Sequence, residues 1–160
     1  YAEYFHNEYG IHIAGLRFFS VYQGYGGNES HKGKYANIIA QFAEKIANGI
    51  QPEIYGNGTQ TRDFTHIDDI AMATQMVAER KISGAYNVGT GRPVSFNEIV
   101  DMINGELGTS IEAKYIKNPI PESIYVHDTC ADSTKISEAT GWVPKIGLEE
   151  GIRKVCSEYK

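Results

Sequence analysis

Short apolar runs alternate with segments of helical period along the whole 160-residue chain, and this alternation restricts the fold more than any other feature. "IHIAGLRFFSVY" is mostly apolar and bounded by glycines, the pattern of a buried strand in a parallel sheet. "YANIIAQFAEKIANG" then sets Ile39, Phe42, Ala43 and Ile46 on one helical face, with Gly49 as its stop. "PEIYGNG" and "RDFTHI" are extended pieces, and Asp68 or Asp69 is the expected cap of a helix carrying Ile70, Ala73 and Val77. "GAYNVGTG" is a second buried strand entering a tight turn, and "SFNE" at 95–98 is a capping box ahead of Ile99, Ile103 and Leu107. An edge strand "IEAKYI", a Pro119/Pro121 loop, a short helix near 133–140 and a last helix with Leu148, Ile152, Val155 and Tyr159 complete the pattern. Strand and helix in turn mean an α/β fold rather than a bundle or a sandwich.

Charge and apolar run length narrow the partners. Fifteen basic residues face twenty acidic ones, so no basic surplus exists to displace counterions from nucleic acid. No apolar run approaches about 18 residues, so no membrane partner is expected. Cys130 and Cys156 have no close spacing and read as reduced thiols of a cytoplasmic protein. Tyr1, Phe5 and Tyr9 stand at helical spacing with no capping residue and no initiator methionine before them, as in a helix begun upstream. The chain is therefore expected to be part of a longer one.

Chemistry concentrates in "TRDFTHIDDIA", residues 61–71. His66, Asp68 and Asp69 have no ligand spacing of strong precedent, so no metal is expected there. Asp68 and Asp69 are sequence neighbours that point different ways, which does not suit a facing carboxylate pair for glycoside hydrolysis. Arg62 has two readings, an ion pair with the adjacent Asp63 or a planar donor fork for a phosphate. "HKGK" at 31–34 places two lysines among glycines, where the backbone can come close to an anion. "NVGTG" at 87–91 is not the G-x-G-x-x-G of a dinucleotide fingerprint.

"LRFFSVY", "IYGNGTQTRDFTHIDDIA", "YNVGTG" and "ADSTKISEATGWVPKIGLEEGI" follow one another in the order and spacing of the C-terminal half of extended short-chain dehydrogenases acting on nucleotide sugars. The resemblance covers essentially the whole chain. "HKGKYANIIAQF" and "YVHDTCAD" resemble ADP-glycero-manno-heptose 6-epimerases, while "YGNGTQTRDF" resembles the UDP-glucose 4-epimerase group. The resemblance implies that Arg62 binds the diphosphate of a nucleoside-diphosphate sugar. It places Phe19 and Val21 beside the nicotinamide of NAD or NADP, and Ser20 at the sugar nucleotide, where the family usually has Asn. Lys32 matches the second catalytic group of the heptose enzymes, and Gln41, Tyr55 and Tyr125 match nucleotide and phosphate contacts. The loop from Gln23 to Ser30 is longer than in those enzymes and lacks their Gly-Pro.

The same resemblance implies a division of the chain. Residues 1–25 would end a Rossmann domain, 26–64 begin a smaller substrate domain, 65–90 return to the Rossmann sheet, and 91–160 complete the substrate domain. Residues 11–19 and 85–89 would be its parallel strands. No tyrosine of the chain has a lysine four residues on, so the family's catalytic Tyr-x-x-x-Lys is not in it. The implied activity is that of an NAD(P)-dependent nucleotide-sugar epimerase, homodimeric at full length. A 4,6-dehydratase or decarboxylase, and a non-catalytic nucleotide-binding relative, stand as alternatives.

Overall fold

The computed structural model describes residues 1–24, 26 and 29–160, so the middle of the Gln23–Ser30 loop lies outside the described residues. Its strands are β1 (Ala14–Phe18), β2 (Val21–Tyr22), β3 (Glu53–Tyr55), β4 (Thr61–Asp63), β5 (Thr65–His66), β6 (Gly84–Val88), β7 (Pro93–Ser95) and β8 (Lys114–Ile116). Its helices are α1 (Ala2–Tyr9), α2 (Ile38–Ala47), α3 (Ile67–Arg80), α4 (Phe96–Leu107), α5 (Thr134–Thr140) and α6 (Leu148–Cys156).

The strands join in pairs rather than in one sheet. β1 lies parallel to β6 with Leu16 opposite Tyr86, so the two apolar runs at 11–19 and 85–89 do form a parallel pair. β2 runs parallel to β5, β3 parallel to β8, and β4 antiparallel to β7. Parallel partners need a crossover, and α3 lies on the path that leads from β1 to its partner β6.

Two apolar cores result. In the first, Ile70, Ala73 and Val77 of α3 pack with Tyr86 and Val88 of β6, Ile136 of α5 and Trp142. Ile136 and Trp142 thus join the sheet-side core although they follow residue 91. In the second, Ile39, Phe42 and Ile46 of α2 meet Ile99 and Ile103 of α4, Ile152 of α6, and Ile54 and Val94. Each buried Ile or Phe contributes roughly 1.5–3 kcal/mol, and these two clusters are where the folding energy concentrates.

Helix ends follow local chemistry. Ser95 and Glu98 form the reciprocal capping box of α4, and Gly10, Gly108 and Gly141 end α1, α4 and α5 in the left-handed region. Asp68 and Asp69 do not cap α3. His66 does, its Nδ1 accepting the Asp68 N–H at 3.2 Å. The strand expected to be buried is half covered, since Phe18 and Ile11 are each 48% exposed. The glycine-rich stretch ends in a 3-10 turn, Ser30–Tyr35, kinked at Gly33 with φ 52°. Among the described residues no helix is long and apolar enough to cross a membrane.

Candidate functional site

The carboxyl end of β1 turns sharply into β2, and there the chain sets three of the expected site residues. Phe19 donates its backbone N–H to Val88 O at 3.1 Å, so it stays on the sheet. Ser20 sits at φ 26°, a left-handed setting for a residue with a side chain. Such strain persists only where neighbours over-determine it. Here the Ser20 carbonyl accepts Thr65 N–H at 3.3 Å and Asn37 Nδ2 at 3.4 Å, and Val21 O accepts Asn37 Nδ2 at 3.0 Å. Phe19, Ser20 and Val21 are all partly exposed just past the strand end, where open α/β sheets hold their ligands.

Arg62 occupies the middle of β4. Strand alternation sends it to the opposite face from Asp63, and the ion pair between these neighbours does not form. Asp63 is fully buried and faces the tight turn after β6 instead. Its Oδ1 accepts Thr90 N–H at 2.8 Å and the Thr90 hydroxyl at 2.5 Å, while Oδ2 accepts the N–H groups of Gly91 at 2.8 Å and Ala131 at 2.9 Å. This saturation lets a carboxylate remain inside.

The Arg62 guanidinium reaches across to the Tyr125–Asp128 segment. Nη1 donates to Thr61 O at 2.7 Å and His127 O at 2.8 Å, and Nη2 to Val126 O at 2.8 Å. Its carbon lies 5.7 Å from the Phe96 ring centre and 5.8 Å from that of Tyr125. Two of the expected contacts, Arg62 and Tyr125, are therefore brought together, and Phe96 joins them. Thr61 also anchors this segment, since Asp128 Oδ1 accepts its N–H at 3.2 Å and its hydroxyl at 2.7 Å. The Thr61 hydroxyl, then His127, holds the Asp128 carboxyl below its usual range.

The other expected residues stand apart. Tyr55 in β3 is 44% exposed, and no hydrogen bond or ring contact joins its side chain to Arg62 among the described residues. Gln41 in α2 donates its Nε2 to Ala36 O at 2.6 Å. Lys32 lies in the 3-10 turn, where its Nζ reaches Glu29 Oε1 at 2.6 Å. A groove of about 710 Å³ beside α4, lined by Asn97, Asp101, Asn104 and Tyr115, contains none of the candidate residues.

Of the acidic and histidine side chains of residues 63–69, Asp63, His66 and Asp69 are already engaged, while Asp68 is exposed. Asp69 is buried and accepts the N–H groups of Lys145 at 2.9 Å and Ile146 at 3.0 Å. Burial pushes the His66 imidazole below its ordinary range, so its neutral form serves as the cap. Among the described residues no cluster of three or more His, Cys, Asp or Glu could hold a metal ion. Burial likewise pushes the Cys156 thiol up to about 11, leaving it unreactive, while Cys130 is exposed and donates to Gly91 O.

Asp63, Asp69, Glu29 and Asn37 were not among the expected site residues. Only Asp63 had a usable signal, because alternation in an extended RDF must separate Arg62 from Asp63. The partners of the others lie in remote or irregular segments.

A family model described as GDP-mannose 4,6 dehydratase matches residues 1–155. The chain belongs to the extended short-chain dehydrogenase family that acts on nucleotide sugars. A Methanocaldococcus jannaschii protein provisionally named a UDP-glucose 4-epimerase is 38% identical over 160 residues, all of this chain and 50% of its own length. The UDP-glucose 4-epimerase of Thermotoga maritima, solved with UDP-glucose, is 32% identical with a TM-score of 0.83, over 98% of this chain and 48% of that one. The UDP-glucose 4-epimerase of Thermus thermophilus, solved with NAD, is 26% identical with a TM-score of 0.80, over 98% of this chain and 49% of that one. The chain thus spans about half the length of the family members it matches. Its α/β architecture agrees with the C-terminal half of these folds.

Proposed function

We propose that this chain forms the substrate-binding half of an NAD(P)-dependent nucleotide-sugar epimerase, with Arg62 as its diphosphate clamp. One observation carries the reading: the Arg62 guanidinium, held over the Phe96 and Tyr125 rings, keeps two N–H groups without an acceptor among the described residues. Three of its N–H groups are committed to carbonyls, which fixes the fork. Nε–H and one N–H of Nη2 have no acceptor among the described residues, and these suit phosphate oxygens.

The nicotinamide cofactor supplies the hydride chemistry. The bend at Phe19, Ser20 and Val21 fits it, because these residues lie at a strand's carboxyl end with side chains partly open. Phe19 and Val21 would exclude water from that face, and Ser20 would contact the sugar nucleotide. Gln41 and Tyr55 would border the nucleotide, and Lys32 would reach the sugar as the second acid–base group. Binding energy from the remote diphosphate would be used to place the reacting carbon. A homodimer in the cytoplasm, with no membrane or nucleic-acid partner, completes the proposal.

The dehydratase description of the family model supports a second reaction on the same site. Product analysis separates them, since an epimerase returns an isomer and a dehydratase releases water.

The clamp is tested by Arg62→Ala in the full-length enzyme, with UDP and ADP each titrated by calorimetry. Charge-assisted bonds to phosphate contribute roughly 1.5–3 kcal/mol, so affinity is expected to fall about ten- to a hundredfold. Unchanged affinity in a folded variant would return Arg62 to a structural role.

A further inference from the structure

Glu29 is a carboxylate in a stretch of glycine and polar residues, yet it is only 1% exposed. A buried carboxylate is stable only when donors occupy its oxygens. Oε1 accepts Lys32 Nζ at 2.6 Å, and Oε2 accepts the Asn37 N–H at 2.8 Å. Asn37 carries the placement onward. Its Oδ1 caps α2 through Ile39 N–H at 3.0 Å, while its Nδ2 holds Val21 O and Ser20 O. A continuous set of bonds therefore runs from the Lys32 amine through Glu29 and Asn37 to the strained bend at Ser20. The Lys32 side chain is 47% exposed, so packing alone does not fix its amine.

We propose that Glu29 is a positioning residue that sets where Lys32 and the Ser20–Val21 bend stand relative to one another. Its consequence for ligands rests on the nucleotide-sugar reading. Lys32 is aimed from the buried carboxylate, and the bend is held at the far end of the same network. Sugar binding then depends on Glu29 although Glu29 itself is buried.

The test is Glu29→Gln, which keeps the shape but leaves one acceptor oxygen for two donors. Acylation of Lys32 by an amine reagent at fixed pH is followed by peptide mass spectrometry, with exposed Lys117 as reference. Release of the half-exposed amine is expected to raise its rate about three- to tenfold, and Glu29→Asp, which keeps the charge, to restore part of the protection. Calorimetry should show UDP-glucose binding weakened about tenfold and UDP binding within about twofold. An unchanged Lys32 rate in folded Glu29→Gln overturns the positioning role. Should that variant not fold, Lys32→Met takes its place. It leaves the carboxylate one neutral donor and is expected to lower the thermal midpoint by several degrees, and a change of under about 1 °C overturns the proposal. Wild-type protein that binds none of UDP, UDP-glucose, ADP and an ADP-sugar overturns the nucleotide-sugar reading, and the acylation rates then decide the positioning role by themselves.

Discussion

Gly151 lies inside α6, where glycine costs roughly 1 kcal/mol against alanine. Space explains it. A Cβ there would overlap the Tyr22 hydroxyl oxygen and stand 2.7 Å from the ring carbon bearing it. Tyr22 cannot retreat, being 1% exposed and packed edge-on to Phe64 and His66. Its hydroxyl has no hydrogen-bond partner among the described residues, and burial, followed by the Asp69 charge, pushes its ionisation far above the ordinary range. Gly151→Ala is therefore expected to destabilise the fold by about 1–3 kcal/mol, against helix propensity. Tyr22→Phe removes an unsatisfied polar atom and should leave stability equal or higher. Combined, the two should recover part of the loss in guanidinium denaturation. A stabilised Gly151→Ala would refute the packing account.

At the scale of the element, α3 begins on a neutral histidine. Protonation of His66 would put a proton on the Nδ1 that accepts the Asp68 N–H, so the cap requires the uncharged ring. Its pKa in the fold is below the unfolded value, with burial as the main cause. The unfolded chain then binds more protons between the two values. The contribution is complete above about pH 6.5 and is lost as pH falls through the folded pKa. Thermal midpoints are expected to drop between pH 7.5 and 5.5, with a slope from this group of at most about 1.4 kcal/mol per pH unit. His66→Asn keeps a capping acceptor without the titration, and should flatten that slope. Equal slopes in both proteins would count against His66. The exposed carboxyls with lowered values, such as Glu98 and Asp128, lose their bonds only at more acidic pH.

Across the whole molecule, apolar cover is uneven. No residue of α1 is buried, and in the open Phe5 and Tyr9 stack while Tyr4 meets both edge-on, the three 56% (Tyr4), 41% (Phe5) and 64% (Tyr9) exposed. Phe18 of β1 is exposed as well. The 160-residue chain alone is expected to bind a hydrophobic dye, and Phe5→Lys to reduce that signal. The same chain should turn over no UDP-sugar, because it carries neither G-x-G-x-x-G nor Tyr-x-x-x-Lys. Measurable epimerisation by the purified chain would contradict this.

Most elements could be read from local residue patterns. Apolar runs, period-3.6 stripes and caps are local, so the strands at Leu16 and Tyr86, the α2 stripe of Ile39, Phe42 and Ile46, and the Ser95–Glu98 box were legible, while the parallel pairing of the two strands came from the resemblance. Motif order carried the family, and it named Arg62 and Tyr125, which the fold brings within reach of one another. Only the tertiary structure decided where the carboxylates go. Asp63 takes its donors from Thr90, Gly91 and Ala131, Asp69 from Lys145 and Ile146, and Glu29 from Lys32 and Asn37. Apart from the Thr90 hydroxyl, the donors of Asp63 and Asp69 are backbone N–H groups far along the chain. Every residue but proline carries one, so no side-chain pattern marks which will be used, and only the meeting of distant segments in a core chooses among them.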